Sequence, residues 1–286
     1  MKVLSLFDGI SCGQVALERA GIPVEVYYAS EIDKYAIRVT QKNYPNTIQL
    51  GDVTQIDFTQ FVGKIDLLIG GSPCQSLSIT QSKTRKHLSG KSKLFFEYLR
   101  AFKTIKPKYF LLENVASMTE ECKKIISEYM GIEPILINSN CFSAQDRPRL
   151  YWTNISVNLP IPESNLTLAD IMQTVTDEKY YYNYPLTNLD MNKQVCAIMD
   201  FKNHEMHKRI FNPKFKVHTL TTCSGGNTQK KVLDNGRVRK LTPLEYERLQ
   251  TLPDNYTKCV SDFRRYNACG NGWTVDVIAH IFKGLI

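Results

Sequence analysis

"KVLSLFDGISCG", residues 2–13, decides the fold. Val3, Leu4, Leu6 and Phe7 form a short apolar run of the kind that makes a strand buried on both faces. Asp8 and Gly9 break the run, and Gly13–Ala20 reads as a helix stopped by Gly21. A buried strand, a Gly-containing turn and a helix open a βαβ unit, and doubly wound folds place a cofactor at the carboxyl end of that first strand. The turn is not G-x-G-x-x-G and no Walker lysine follows, which argues against a phosphate cradle.

The alternation then continues. "VEVYYAS" (24–30) is the next strand and 33–44 a helix ended before Pro45. "KIDLLIG" (64–70) is a strand, 92–105 a helix and "KYFLLE" (108–113) a strand. A helix around 117–130 and strands near 133–138 and 149–155 follow. The expected fold class is α/β, a doubly wound, mostly parallel sheet covered by helices on both faces. From 156 to 236 the rhythm gives way to Asn, Thr, Tyr and Lys, punctuated by Pro160, Pro162, Pro185 and Pro213, which predicts a smaller domain of irregular or short-strand structure. The end returns to a helical apolar pattern through Val275, Ile278, Ala279 and Phe282. The expected domains are 1–157, 158–264 and a closing segment 265–286 that rejoins the first.

Composition narrows the functional class. The 286 residues are 43% hydrophobic and 22% charged, enough for a sizeable core and against disorder. Only a short apolar run precedes Asp8, so neither a signal peptide nor a membrane span is read there, and a soluble intracellular chain is expected. The eight cysteines include no C-x-x-C pair, which fits free thiols in a reducing compartment better than a zinc site or a disulfide framework; no metal is expected. The net charge of +8 points to a polyanionic partner. Two basic runs, 83–93 and 230–240, fit solvated loops singly and phosphate contacts together.

Several residues fall at expected strand ends. Glu31 closes the second strand, where an acid commonly holds ribose hydroxyls, and Asp52 follows the third, within reach of an adenine amino group. Either acid alone equally fits a turn or helix cap. Together with the Gly turn they suit a nucleoside cofactor without a phosphate. Cys74, in "GGSPCQS", lies just past the fourth strand. Most cysteines are small buried thiols, but a structural thiol needs no Gly-Gly-Ser-Pro approach, and this setting favours a presented nucleophile. Glu113 in "LLENV" is a helix cap or, if desolvated, a proton donor. Arg147 and Arg149 are two apart, expected on one side of an extended segment, where they would meet carboxylate, phosphate or carbonyl oxygens.

The ordered set FDGISCG, SEID, GDV, GGSPCQSLS, ENV, QDRPRLYW, RKLTPLEYERLQTLPDNY and GNGWTVDV resembles the DNA cytosine-5 methyltransferase family. The resemblance spans nearly the whole chain and fails only over about 156–236, where that family keeps its target-recognition region. The catalytic stretch looks like that of animal de novo enzymes, without their regulatory domains, so a stand-alone bacterial or phage type is expected. The resemblance implies a Rossmann-like, S-adenosylmethionine-dependent enzyme that methylates C5 of cytosine in a short sequence of double-stranded DNA.

By that resemblance Cys74 adds to C6 of a flipped base, Glu113 donates at N3, and Arg147 and Arg149 hold O2 and neighbouring groups. Cofactor contacts are implied for Phe7, Asp8, Gly9, Ile10, Glu31, Ile32, Asp52, Val53, Gly71, Pro73, Leu94, Asn271 and Trp273, although the Trp273 indole equally fits as core. DNA contacts are implied for Gln75, Ser78, Lys83, Arg85 and Lys91 in the basic loop, and for Thr221, Thr222, Ser224, Asn227 and Arg237 in the recognition region. Any one of Thr221, Thr222, Ser224 and Asn227 also fits a plain polar turn. A cytoplasmic monomer that could work beside a restriction endonuclease completes the expectation. A tRNA-directed enzyme on the same scaffold is the main alternative. A non-catalytic DNA-binding regulator is disfavoured by the presence of both Cys74 and Glu113.

Overall fold

The computed structural model describes residues 1–72, 94–223 and 227–286, which form two compact units. The first comprises Met1–Asn138, Pro148–Leu159 and Val275–Ile286; the second comprises Ser139–Arg147 and Pro160–Thr274. The division differs from the expected boundaries at three places: Ser139–Arg147 belongs to the second unit, residues 158–159 stay with the first, and the second unit continues through Thr274.

In the first unit the chain runs β1 (Lys2–Leu6), α1 (Cys12–Arg19), β2 (Val26–Ser30), α2 (Lys34–Asn43), β3 (Ile48–Gln49), β4 (Leu67–Gly70), α3 (Leu94–Ile105), β5 (Tyr109–Val115), α4 (Glu120–Met130) and β6 (Ile135–Asn138). After β7 (Gln145–Asp146) in the second unit, β8 (Pro148–Thr153) returns to the first. The seven strands order as β3-β2-β1-β4-β5-β8-β6. Pairs β1–β2, β2–β3, β1–β4 and β4–β5 are parallel, while β8 runs antiparallel to both β5 and β6. The expected mostly parallel sheet is present.

Sequence dictates these elements locally. Leu67, Leu68 and Ile69 are wholly buried, as an apolar run in a covered parallel sheet must be. Leu4, Leu6, Leu68, Phe110 and Leu112 share one core cluster with Phe95, Tyr98 and Leu99 of α3 and Ile126 of α4. Asp33 caps α2 through the Tyr35 amide, and Gly131 ends α4 with φ 70°. Helix α9 (Val275–Phe282) packs on α1.

The second unit also holds α5 (Leu168–Ile171), β9 (Tyr181–Tyr182), β10 (Leu186–Thr187), β11 (Val195–Met199), α6 (Glu205–Lys208), β12 (Arg209–Phe211), β13 (Val217–His218), β14 (Lys231–Asp234), β15 (Arg237–Lys240), α7 (Pro243–Leu249) and α8 (Asp262–Asn271). Six strands form one sheet, β10-β11-β12-β14-β15-β9, and β13 pairs with β7. Asn235 and Gly236 take φ 48° and 79° in the β14–β15 turn, the left-handed pair that a two-residue hairpin loop needs. The 230–240 basic run is therefore not a solvated loop. Lys231 and Arg239 are wholly buried, and Arg239 is bridged to Asp234 and, by two bonds of 2.8 Å, to Glu245.

Candidate active site

Parallel pairing brings the strand ends of the first unit to one level. Leu6 is in register with Ser30 and with Gly70, and Gly70 with Leu112. Phe7, Glu31, Gly71 and Glu113, each the next residue, therefore follow along one carboxyl edge of the sheet. Glu113 lies inside β5 rather than after it.

The turn after β1 is built from left-handed residues: Phe7, Gly9 and Ser11 have φ of 58°, 59° and 57°. Asp8 holds the turn together. Its carboxylate accepts from Tyr27 Oη at 2.8 Å and, by a short bond, from Ser11 Oγ. Burial raises Asp8 from 3.8 to about 6, against the lowering effect of the Ser11, Ser5 and Tyr27 hydroxyls and with a smaller push from Glu31. The Gly9 amide donates to Glu31 Oε2 at 2.8 Å, and Ile32 and Asp33 amides donate to Oε1, both at 2.8 Å. Three amide donors thus fix the Glu31 carboxylate in place.

Asp52 caps a short 3₁₀ turn through the Thr54 amide at 2.9 Å. Val53 and Ile10 have buried side chains, so they can face the edge only through their backbones. Ile32 is the opposite case, an apolar side chain 75% exposed beside Glu31. Leu94 opens α3 and packs partly on the core. Asn271 and Trp273 belong to the second unit. Sequence reasoning missed Tyr27, Ser11 and Arg100. Arg100 donates at 2.8 Å to the carbonyls of Val53 and Ile56, and so pins the Asp52–Val53 corner.

On the far side of the edge, Arg149 Nε meets Glu113 Oε1 at 2.9 Å. Glu113 is in register with Tyr151, two residues from Arg149 on β8, so the pair is diagonal on one face of an antiparallel ladder. Asn114 is buried and its Nδ2 reaches the carbonyl and hydroxyl of Ser72 at 3.4 and 3.3 Å. Ser72 is the last described residue before the expected nucleophile.

Arg147 does not join Arg149. Only 5% exposed, it donates through Nη1 to Leu220 O at 2.8 Å and through Nη2 to Gly270 O and Gly272 O at 2.9 and 3.0 Å. Pro148 starts β8 between the two arginines, which fall in different units. The two arginines therefore engage different partners.

Of the expected DNA contacts, Thr221 is half-buried and Thr222 exposed. Asn227 takes φ 63° and accepts from Lys231 through its carbonyl. Arg237 pairs with Glu178 at 2.7 and 3.0 Å and lies 4.1 Å over the Tyr181 ring. Pro73, Cys74, Gln75, Ser78, Lys83, Arg85, Lys91 and Ser224 lie outside the described residues. The seven described cysteines are free thiols, and among the described residues no His, Cys, Asp and Glu cluster suits a metal. No described helix is long and apolar enough to cross a membrane.

A mostly parallel seven-stranded sheet with one reversed strand and a carboxyl edge bearing Glu31, Asp52 and Glu113 defines an α/β methyltransferase fold. The solved Entamoeba histolytica methyltransferase EhMeth has that fold, with TM-score 0.75 at 18% identity over 100% of this chain and 99% of that one. The chain belongs to the C-5 cytosine-specific DNA methylase family, whose model matches residues 1–286. Its activity is accordingly that of a DNA cytosine-5 methyltransferase. Orphan methyltransferase M.SPRI of Bacillus phage SPR is 30% identical over 100% of this chain and 97% of the relative. Type II methyltransferase M.NlaX of Neisseria lactamica is 29% identical over 98% and 94%.

Proposed function

We propose that Cys74 is the nucleophile, Glu113 the N3 donor and Arg149 its orienting partner, acting on cytosine in double-stranded DNA with S-adenosylmethionine as cofactor. The observation that carries this reading is the Glu113–Arg149 pair on the same sheet edge as the Glu31 carboxylate.

The residues present fit the cofactor. Three amides occupy part of the roughly four lone-pair sites of Glu31, leaving it able to accept from a ribose hydroxyl. The exposed Ile32 side chain offers an apolar face to the adenine, and Asp52 an acceptor to its amino group. Bound S-adenosylmethionine supplies an electrophilic methyl group.

Cytosine C5 is too electron-poor to attack such a methyl unaided. Addition of the Cys74 thiolate to C6 makes C5 an enamine carbon. Glu113 donates at N3, so negative charge does not accumulate on the ring. Once C5 has taken the methyl group that S-adenosylmethionine would supply, with S-adenosylhomocysteine as the leaving group, loss of the C5 proton expels Cys74 and restores the aromatic ring. A free thiol is only a few per cent ionised at pH 7, so its surroundings must favour thiolate. The base must leave the duplex to reach a strand-end site, which is the base-flipping solution. Asn114, bonded to Ser72, fixes the chain two residues before Cys74. Arg147 acts as a clamp on the Leu220 segment rather than as a ligand to the base.

The test is covalent capture on duplex DNA containing 5-fluorocytosine, whose fluorine cannot depart as the C5 proton does. A denaturant-resistant complex should form with the wild type and be absent with Cys74→Ala. A complex that persists in Cys74→Ala would assign the nucleophile elsewhere.

A further inference from the structure

The second unit contains a pocket of about 300 Å³ lined by Asp146, Met206, Arg209, His218, Thr219, Thr221 and Lys230. Two adjacent lysines show what is unusual there. Lys231 is wholly buried, but its ammonium donates to the carbonyls of His207, Asn227 and Gln229 at 2.7, 2.5 and 3.0 Å. Lys230 is 8% exposed, and among the described residues no hydrogen bond or ion pair engages its ammonium. The ammonium lies 5.6 Å from the centre of the Phe211 ring. Burial lowers Lys230 to about 8. Buried charges are ordinarily paired, because an unpaired one costs stability. The Lys230 backbone is fixed on both sides: its N–H donates to Tyr246 Oη at 2.8 Å, and its carbonyl accepts from Leu241 N at 2.9 Å.

The pocket also presents an oriented acceptor. Gln194 Nε2 donates to Asp146 Oδ2 at 3.0 Å, while Gln194 Oε1 lies 2.9 Å from His218 Nε2. Arg209 is tied to Glu205 at 2.9 Å, so Lys230 is the unengaged cation of this wall among the described residues.

We infer that this pocket reads one G·C pair of the recognition sequence, with Lys230 donating to guanine O6 and N7 and Asp146 accepting from the N4 amino group of the paired cytosine. The major-groove edge of a G·C pair presents this combination of acceptors and donor. A backbone phosphate is the poorer fit, because its charge would be brought against the Asp146 carboxylate. The inference rests on the second unit being the part that recognises DNA.

The experiment measures methylation of a duplex library randomised around the target cytosine by wild type, Lys230→Met, Lys230→Arg and Asp146→Asn. Melting temperature and binding of S-adenosylhomocysteine are followed in parallel. Lys230→Met should melt no lower than the wild type and bind S-adenosylhomocysteine equally well. It should lose about 10- to 100-fold in preference for G·C at one position only. Lys230→Arg should keep that preference, and Asp146→Asn should relax the same position. Uniform weakening over all sequences, with the salt dependence reduced by about one phosphate, would make Lys230 a backbone contact and overturn the inference. Unchanged preference, or a fall in melting temperature with preference intact, would also overturn it. A wild type that methylates no DNA would instead remove the reading on which the inference rests.

Discussion

Arg149 Nε and Glu113 Oε1 lie 2.9 Å apart across the antiparallel β5–β8 pair, both side chains being nearly buried. Removing the Glu113 carboxyl should strike catalysis rather than folding. Glu113→Gln is expected to lower kcat by about 10²- to 10⁴-fold, the usual contribution of a positioned acid or base. Arg149→Lys keeps the charge but not the planar fork, and a loss of about 10- to 100-fold is expected. The double variant should lose much less than the product of the singles, because both act through one group. Steady-state and single-turnover kinetics check this, and full additivity would mean the two residues act separately.

Arg147 should behave differently. Its removal leaves carbonyls of Leu220, Gly270 and Gly272 without these donors in a buried place. Arg147→Ala is expected to destabilise the protein by roughly 3 kcal/mol, whereas Arg149→Ala, which strands a single carboxylate able to take up a proton, should lower the denaturant midpoint by less. Equal midpoints for the two variants would contradict the clamp.

Gly270 meets the same segment. A Cβ there would stand 2.6 Å from the Thr221 carbonyl carbon and oxygen and 2.7 Å from the Thr222 nitrogen, all rigid backbone. Gly270→Ala should therefore cost about 1–3 kcal/mol and raise KM for DNA more than for cofactor. Kinetics with each substrate varied in turn separate the two effects.

Asp8 gives a pH signature. Its folded-state value of about 6 lies above the ordinary 3.8, so the folded protein binds this proton more readily than the unfolded chain. Its contribution to stability is fully present below about pH 4 and is lost as pH rises through about 6. Asp8→Asn lacks that titration, so its stability relative to the wild type should rise between pH 4 and 6 and then level off. Melts across that range test this; parallel curves would show that Asp8 is not so shifted.

The first unit was legible because wholly buried strands read as plain apolar runs: Leu67–Ile69 and the strand in 2–7 announce themselves, and parallel pairing carries their ends to one edge. The six-stranded sheet of the second unit was not legible. Its strands are short, as in Tyr181–Tyr182 and Arg209–Phe211, too brief for a period of two to emerge. Tyr27 and Arg100 act through partners 19 and 47 residues away, Asp8 and Val53, which no local pattern records. Lys230 and Lys231 are identical in sequence and adjacent. Only tertiary packing gives Lys231 three carbonyls and leaves Lys230 in a pocket wall.

The most direct measurement follows labelled methyl from S-adenosylmethionine into duplex DNA and, separately, into bulk tRNA, with wild type and Cys74→Ala. The account predicts label in 5-methylcytosine from DNA with the wild type and none with the variant. Label in another base, label in tRNA alone, or label that persists in Cys74→Ala would contradict it.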